Sequence, residues 1–166
     1  FKSRMTPKGF TQVLGESYTE TFAATAKFES ICVVLCLCAI CDWLLMGLDV
    51  ENAFCEGDLQ ETIYMMLPEQ VYRNDDGSPI IVRLLKAMYG LKQAAYVFQC
   101  MVRELLAETP CKTCISDSCV FVGMDETQTY IIIIVIWVDD CLITGNWESE
   151  IKRLIELFAL RFTKVT

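Results

Sequence analysis

An unbroken apolar run from Tyr130 to Val138, rich in Ile and Val, stops at Asp139-Asp140 and resumes as Cys141-Leu142-Ile143-Thr144. Consecutive β-branched residues of this kind read as a strand covered on both faces. The run is too short for a membrane-spanning helix, which needs roughly 20 apolar residues. Two acids between two apolar stretches fit a tight turn, so the segment reads as strand, turn and return strand. Such a strand folds only where there is enough apolar body to bury it. With 54% hydrophobic residues in 166, the chain has that body, which argues against disorder.

The rest of the sequence supplies partners. Lys27 to Trp43 reads as a helix with an almost wholly apolar interior, and such a helix is expected to be buried. Its apolar stretch, Ile31 to Ile40, is interrupted by Asp42 and is also too short to span a membrane. Leu44 to Val50 follows as a short strand. Thr62 to Leu67 and Ile80 to Leu85 flank the turn signal Asn74-Asp75-Asp76-Gly77-Ser78-Pro79 and form a hairpin. Gln93 to Glu108 is a second helix, ended by Pro110, and Cys119 to Gly123 another strand. A last helix is expected over Trp147 to Phe162, with Ile151, Leu154, Ile155, Phe158 and Phe162 on one face and Asn146 as N-cap. Helices mixed with antiparallel strands give an α+β fold, an antiparallel sheet packed on helices. No linker or repeat divides the chain, so the sequence reads as one domain over residues 1–166.

Asp139 and Asp140 are the sharpest candidates for chemistry. Adjacent like charges repel, so such a pair serves a cation or sits in solvent; as a plain solvated turn it would need no further role. Asp49, at the end of the Leu44–Val50 strand, is either a cap for the next turn or a third carboxylate, depending on whether the fold brings it to Asp139. Three such acids can hold two divalent cations about 4 Å apart for phosphoryl transfer. In Met88-Tyr89-Gly90-Leu91-Lys92-Gln93, Gly90 permits close backbone approach to a ligand and Lys92 can meet a phosphate as a point charge.

Charge and cysteine narrow the classes. There are 14 Lys and Arg against 22 Asp and Glu, a formal charge of −8. That balance counts against tight polynucleotide binding by this chain alone. Phe1-Lys2-Ser3-Arg4 is followed by polar residues, with no apolar stretch of a signal peptide, so the ten cysteines are not expected to form a disulfide framework. Cys111-Lys112-Thr113-Cys114 with nearby Cys119 has metal-like spacing. The chain has no His, and no second close pair completes four ligands.

Taken in order, several segments carry a family resemblance. Lys8-Gly9-Phe10-Thr11-Gln12, Glu20-Thr21-Phe22-Ala23 and Ala26-Lys27-Phe28 are followed by Asp49-Val50 with Ala53-Phe54, then Gly57-Asp58-Leu59 with Ile63-Tyr64-Met65. Next come Tyr89-Gly90-Leu91-Lys92-Gln93-Ala94, Ser116-Asp117 with Cys119-Val120-Phe121, and Val138-Asp139-Asp140 with Leu142-Ile143-Thr144-Gly145. This collinear series, covering nearly the whole chain, resembles copia-type retrotransposon reverse transcriptases. The resemblance implies a reverse-transcriptase palm and partial fingers without a thumb, acting as an RNA-directed DNA polymerase core. It implies that Asp49, Asp139 and Asp140 bind two Mg²⁺ ions, and that Asp49 and Asp139 lie close enough to share one. Phe54 would lie under the sugar and select deoxynucleotides. Lys2 and Arg4 match basic positions near the triphosphate, and Lys92 and Gln93 would sit beside nucleotide and template. The implied partners are a primer–template and deoxynucleoside triphosphates.

The chain departs from the family pattern at several positions. Trp137 stands where Tyr is usual, Ala95 where Pro is usual and Tyr96 where Arg is usual. Ala24 replaces a Pro, Glu56 an Asn and Cys32 an Arg. None of these removes a carboxylate, yet together they resemble drift. The alternative is therefore an inactive relic of the same fold with at most a structural or binding role.

Overall fold

In the computed structural model, which describes residues 5–68 and 72–166, the apolar run is the middle strand of a five-stranded antiparallel sheet. Lys2 and Arg4 lie outside the described residues. In chain order the elements are α1 (Phe28–Cys41), β1 (Leu44–Asp49), β2 (Asp58–Met66), β3 (Ile81–Lys86), α2 (Ala94–Ala107), β4 (Lys112–Thr113), β5 (Val120–Met124), β6 (Ile131–Trp137), β7 (Asp140–Gly145) and α3 (Glu148–Arg161). The sheet order is β1-β7-β6-β5-β4, and β2 and β3 form a separate two-stranded sheet. The chain packs as two compact units, Phe1–Phe22 with Phe54–Phe98, and Ala23–Ala53 with Gln99–Thr166.

The first unit is organised by the β2–β3 hairpin, in register from Ile63 opposite Leu84 to Met66 opposite Ile81. Asn74 closes the connection, its carbonyl accepting from the Gly77 amide at 2.9 Å. Ile63, Leu84, Ala87, Leu91 and Ala94 form the apolar core, with half-buried Phe54 and Met88 against it. Here Gly9 and Gly90 are demanded by close backbone approach. A Cβ on Gly9 would sit 1.9 Å from the Gly90 carbonyl oxygen, and Gly90 has φ +103, with its Cβ position 2.7 Å from the Pro7 carbonyl oxygen.

The second unit holds the sheet. Ile132 to Ile136 are buried without alternation, as expected for a strand with both faces covered. On α3, Ile151, Leu154 and Phe158 are buried at helical spacing, Phe162 is buried just past its end, and the helix contacts β7. Each such side chain contributes about 1.5–3 kcal/mol of burial. Gly145 ends β7 with φ +146, and a Cβ there would lie 2.1 Å from the Ile131 carbonyl oxygen.

Two local expectations change. Asn146 is not the cap of α3; the N-cap position is Trp147, with no side-chain cap bond. The Asn146 side chain instead ties down the start of β6: its Oδ1 accepts from the Ile131 amide at 2.6 Å and its Nδ2 donates to the Thr129 carbonyl at 3.0 Å. The helix expected to be buried forms, but only Val34 and Cys38 along it are buried. Val33, Leu35, Leu37 and Ile40 are exposed. The two buried positions are one turn apart, so a single narrow stripe of α1 meets the body of its unit.

Asp117 holds the start of that helix. Its Oδ2 accepts from the Lys27 amide at 2.8 Å and its Oδ1 from the Cys119 amide at 2.9 Å, while the Lys27 ammonium donates to the Ser116 carbonyl at 2.7 Å. The opening amides of a helix need acceptors, and α1 has no side-chain cap from its own N-cap residue. A carboxylate from a distant segment supplies one. Burial alone would raise the pKa of Asp117, but bonds from the Lys27 amide, the Ser30 side chain and the Cys119 amide outweigh it and hold the carboxyl below its usual value.

Candidate active site

β6 and β7 pair from Ile132 opposite Gly145 to Trp137 opposite Asp140, leaving Val138 and Asp139 as a two-residue turn. The acid pair therefore divides: Asp139 lies in the turn and Asp140 opens β7. Val138 has φ +59. A β-branched residue is strained there, because its Cβ crowds the backbone. Only Val138 of the two turn residues is at positive φ, a form in which the first turn position favours Gly.

β1 pairs with β7 in a register that puts Asp49 opposite Asp140. Directly opposite residues in an antiparallel pair share a face. Trp137, Asp140 and Asp49 thus stand in one row across three strands. The Asp49 amide donates to the Thr166 carbonyl at 2.8 Å, and the Thr166 amide donates to the Asp49 carbonyl at 3.0 Å. Within a strand the N–H and C=O of one residue point to the same side, so the Asp49 peptide points away from β7. Asp49 and Asp140 are therefore a non-hydrogen-bonded pair, the closer class, with Cα atoms typically about 4.5 Å apart.

The electrostatics follow from that placement. Partial burial raises the pKa of Asp140, and the Asp139 and Asp49 charges raise it further. Beneath it, burial pushes the Cys141 thiol up to about 12, with Asp140 and Asp139 adding to the effect, so the thiol is neutral. Neither the Asp49 nor the Asp140 carboxylate has an ion-pair partner among the described residues. Along the same face lies an open hollow of about 560 Å³, lined by Gly47, Leu142, Trp137 and Thr166 besides the two acids.

Hard carboxylate oxygens suit Mg²⁺, and a cation would relieve the repulsion among them. Among the described residues, no group of three His, Cys, Asp or Glu side chains is gathered to hold a metal.

The remaining candidates lie in the first unit. The Phe54 ring is 4.7 Å from that of Tyr89 and 6.2 Å from that of Phe98. Lys92 is exposed; its ammonium donates to the Gln12 carbonyl at 3.2 Å and to the Tyr18 hydroxyl at 3.3 Å, and lies over the Tyr18 ring. Gln93 is buried; its Nε2 donates to the Ser17 carbonyl at 2.9 Å and its Oε1 accepts from Gln12 Nε2 at 2.9 Å. Gln93 thus anchors the segment around Gln12 and Ser17, a role its position after Lys92 did not announce. Among the cysteines of the metal-like spacing, Cys111 and Cys119 are buried and raised in pKa by that burial, while the Cys114 thiol lies 3.1 Å from the Ser116 hydroxyl. All ten cysteines are free thiols, and among the described residues no helix is long and apolar enough to cross a membrane.

The family model described as reverse transcriptase (RNA-dependent DNA polymerase) matches residues 1–165. The chain is 36% identical over 163 residues to the retrovirus-related Pol polyprotein from transposon RE2 of Arabidopsis thaliana, covering 98% of this chain and 11% of that protein. It is 33% identical over 163 residues to the corresponding RE1 protein of the same plant, with the same coverage. It is 36% identical over 155 residues to the Pol polyprotein from transposon TNT 1-94 of Nicotiana tabacum, covering 93% of the chain and 11% of that protein. No solved structure matches. With three acids placed at one end of the sheet and a match running almost end to end, the chain belongs to the reverse transcriptase (RNA-dependent DNA polymerase) family, in its copia-type branch.

Proposed function

We propose that this chain is the palm and partial fingers of an RNA-directed DNA polymerase, joining deoxynucleotides to a primer on a nucleic-acid template, in a copy weakened by drift. The observation that carries the reading is Asp49 opposite Asp140 as a non-hydrogen-bonded pair, with Asp139 in the adjoining turn. These three carboxylates are the groups that would hold two Mg²⁺ ions, completed by the phosphates of the incoming nucleotide. Ions held by these carboxylates would supply a lowered pKa at the attacking 3′-hydroxyl and charge neutralisation at the leaving pyrophosphate. The chain itself fixes the separation of the carboxylates through sheet register and keeps the Cys141 thiol beneath them uncharged. Phe54 is assigned to the sugar, Gly90 and Lys92 to the nucleotide side, with buried Gln93 holding the Gln12–Ser17 segment beside them, and Lys2 and Arg4 to the triphosphate.

By itself the chain is not expected to synthesise processively. Phosphate contacts by Lys and Arg supply most non-specific affinity for nucleic acid, and a net charge of −8 opposes it. Trp137, in the row with both acids, also brings an indole where the family has a phenol. The second reading, a relic without catalysis, is favoured by that substitution. The test is primer extension on a primed RNA template with Mg²⁺, using this chain with Trp137→Tyr fused to the downstream polymerase region of a relative. Extension abolished by Asp139→Asn supports the proposal; a folded fusion that never extends supports the relic. Processive extension by the unmodified chain alone, lost in Asp139→Asn, would show that the copy is not weakened.

A further inference from the structure

β1 is an edge strand, and its last residue, Asp49, is where the chain leaves the sheet: Asn52 has φ +56 and a 3-10 turn follows at Ala53–Cys55. Strand ends at a sheet edge are ordinarily the first to open. Because Asp49 and Asp140 are a non-hydrogen-bonded pair, β7 gives the Asp49 peptide no hydrogen bond. Like charges placed directly opposite one another also push the two strands apart. Something other than β7 must hold Asp49 in place.

The segment after α3 does this. Val165 pairs antiparallel with Val50. Both polar groups of the Asp49 peptide are satisfied by Thr166, and the Glu51 amide donates to the Lys164 carbonyl at 3.0 Å. The Lys164 ammonium lies 2.5 Å from Glu51 Oε1. This ion pair is exposed and contributes little by itself, but it marks the same register as the backbone bonds. Phe162, buried at the end of α3, anchors the segment from the other side.

We infer that Lys164–Thr166 is a positioning strand for Asp49, holding its carboxylate opposite Asp140 against their mutual repulsion and so setting the separation at which the acids share cations. The inference rests on the two-metal reading above for its purpose, but not for its geometry. Thr166 acts through its backbone, so its side chain is dispensable and its N–H is not.

The test compares the full chain with Thr166→Ala and Thr166→Pro. Pro removes the N–H that bonds the Asp49 carbonyl, and Val165 before it sits in an antiparallel bridge with Val50, a setting compatible with the extended backbone that a residue preceding Pro prefers. In the metal-free chain, Hα of Asp49 and Hα of Asp140 are close only while the non-hydrogen-bonded pair holds, so their nuclear Overhauser effect reports the juxtaposition. It should persist in Thr166→Ala and fade in Thr166→Pro. Full intensity in Thr166→Pro overturns the inference, whatever any metal does. Mn²⁺ binding, followed by electron paramagnetic resonance, separates the purpose from the geometry. The expectation is roughly fivefold weaker binding in Thr166→Pro than in Thr166→Ala, the weight of one net hydrogen bond. Equal affinity in the two would overturn the role in metal binding. A chain that binds Mn²⁺ no better than its Asp49→Asn variant would overturn the two-metal reading, while the Overhauser result would still decide whether the strand holds Asp49.

Discussion

The carboxylate of Asp117 accepts the backbone amide of Lys27 at 2.8 Å, so a residue just before β5 fastens the start of α1. Asp117 is buried at 5% exposure and also accepts the Cys119 amide. Replacing it with Ala leaves both amides without an acceptor, and a lost bond to a charged group together with a stranded donor costs about 1–3 kcal/mol. Urea denaturation of Asp117→Ala should show a lowered midpoint with the slope unchanged. The pH dependence has a definite sign. Because the folded pKa is depressed, the stabilisation is fully present above the unfolded value of about 3.9. It is lost as pH falls through the lower folded value. The Asp117→Ala chain should lack that acid-side loss.

Asp140 behaves in the opposite sense. Burial and the charges of Asp139 and Asp49 raise its folded pKa. Its destabilising contribution is therefore full above the folded value and relieved as pH falls through it towards the unfolded value of about 3.9. Without metal, Asp140→Asn should stabilise the chain near neutral pH and have no such effect at strongly acid pH. Thermal melts of both chains across that range check it. Added Mg²⁺ should raise the melting temperature of the parent chain more than that of Asp140→Asn, because a ligand binding only the folded state stabilises it.

Val138 is the strained residue of the β6–β7 turn. At φ +59 a residue with a Cβ carries a penalty of roughly 1–2 kcal/mol, of which Gly returns part as chain entropy in the unfolded state. Val138→Gly is expected to raise stability by up to about 1 kcal/mol. A melting temperature unchanged or lowered in Val138→Gly would mean that the turn is not strained. Gly145→Ala is the contrasting case: its Cβ would lie 2.1 Å from the Ile131 carbonyl oxygen at φ +146. It should cost more than about 3 kcal/mol, or prevent folding, when followed by circular dichroism.

Along α1, Ile40 is 80% exposed and Val34 only 5%. Ile40→Lys should therefore shift stability by no more than about 0.5 kcal/mol. Val34→Ala should cost about 1–2 kcal/mol for buried methyl groups removed. Denaturant midpoints of the two variants rank the two sides of the helix. Equal losses would mean that Ile40 is covered in the folded chain.

The sequence by itself determined the elements whose local chemistry and whose burial agree. β6 was legible because Ile132 to Ile136 are apolar at every position and a strand covered on both faces needs that. α3 was legible because Ile151, Leu154, Phe158 and Phe162 recur at helical spacing. The acids were visible as candidates for the same reason: Asp139-Asp140 interrupts a run that otherwise tolerates no charge, and the ordered family segments then tied Asp49 to it. Tertiary structure alone decided the rest. α1 is apolar all round, so no face of it is marked, and packing chose Val34 and Cys38 to bury and left Ile40 in solvent. Asn146 has the chemistry of a cap, but the competing Ile131 amide and Thr129 carbonyl took its side chain. That Asp49 meets Asp140, while Asp139 stays in the turn, depends on a pairing register between segments far apart in the chain. That Thr166 holds the Asp49 peptide is written only in backbone hydrogen bonds, which any residue but Pro can make and which therefore leave no mark on side-chain sequence.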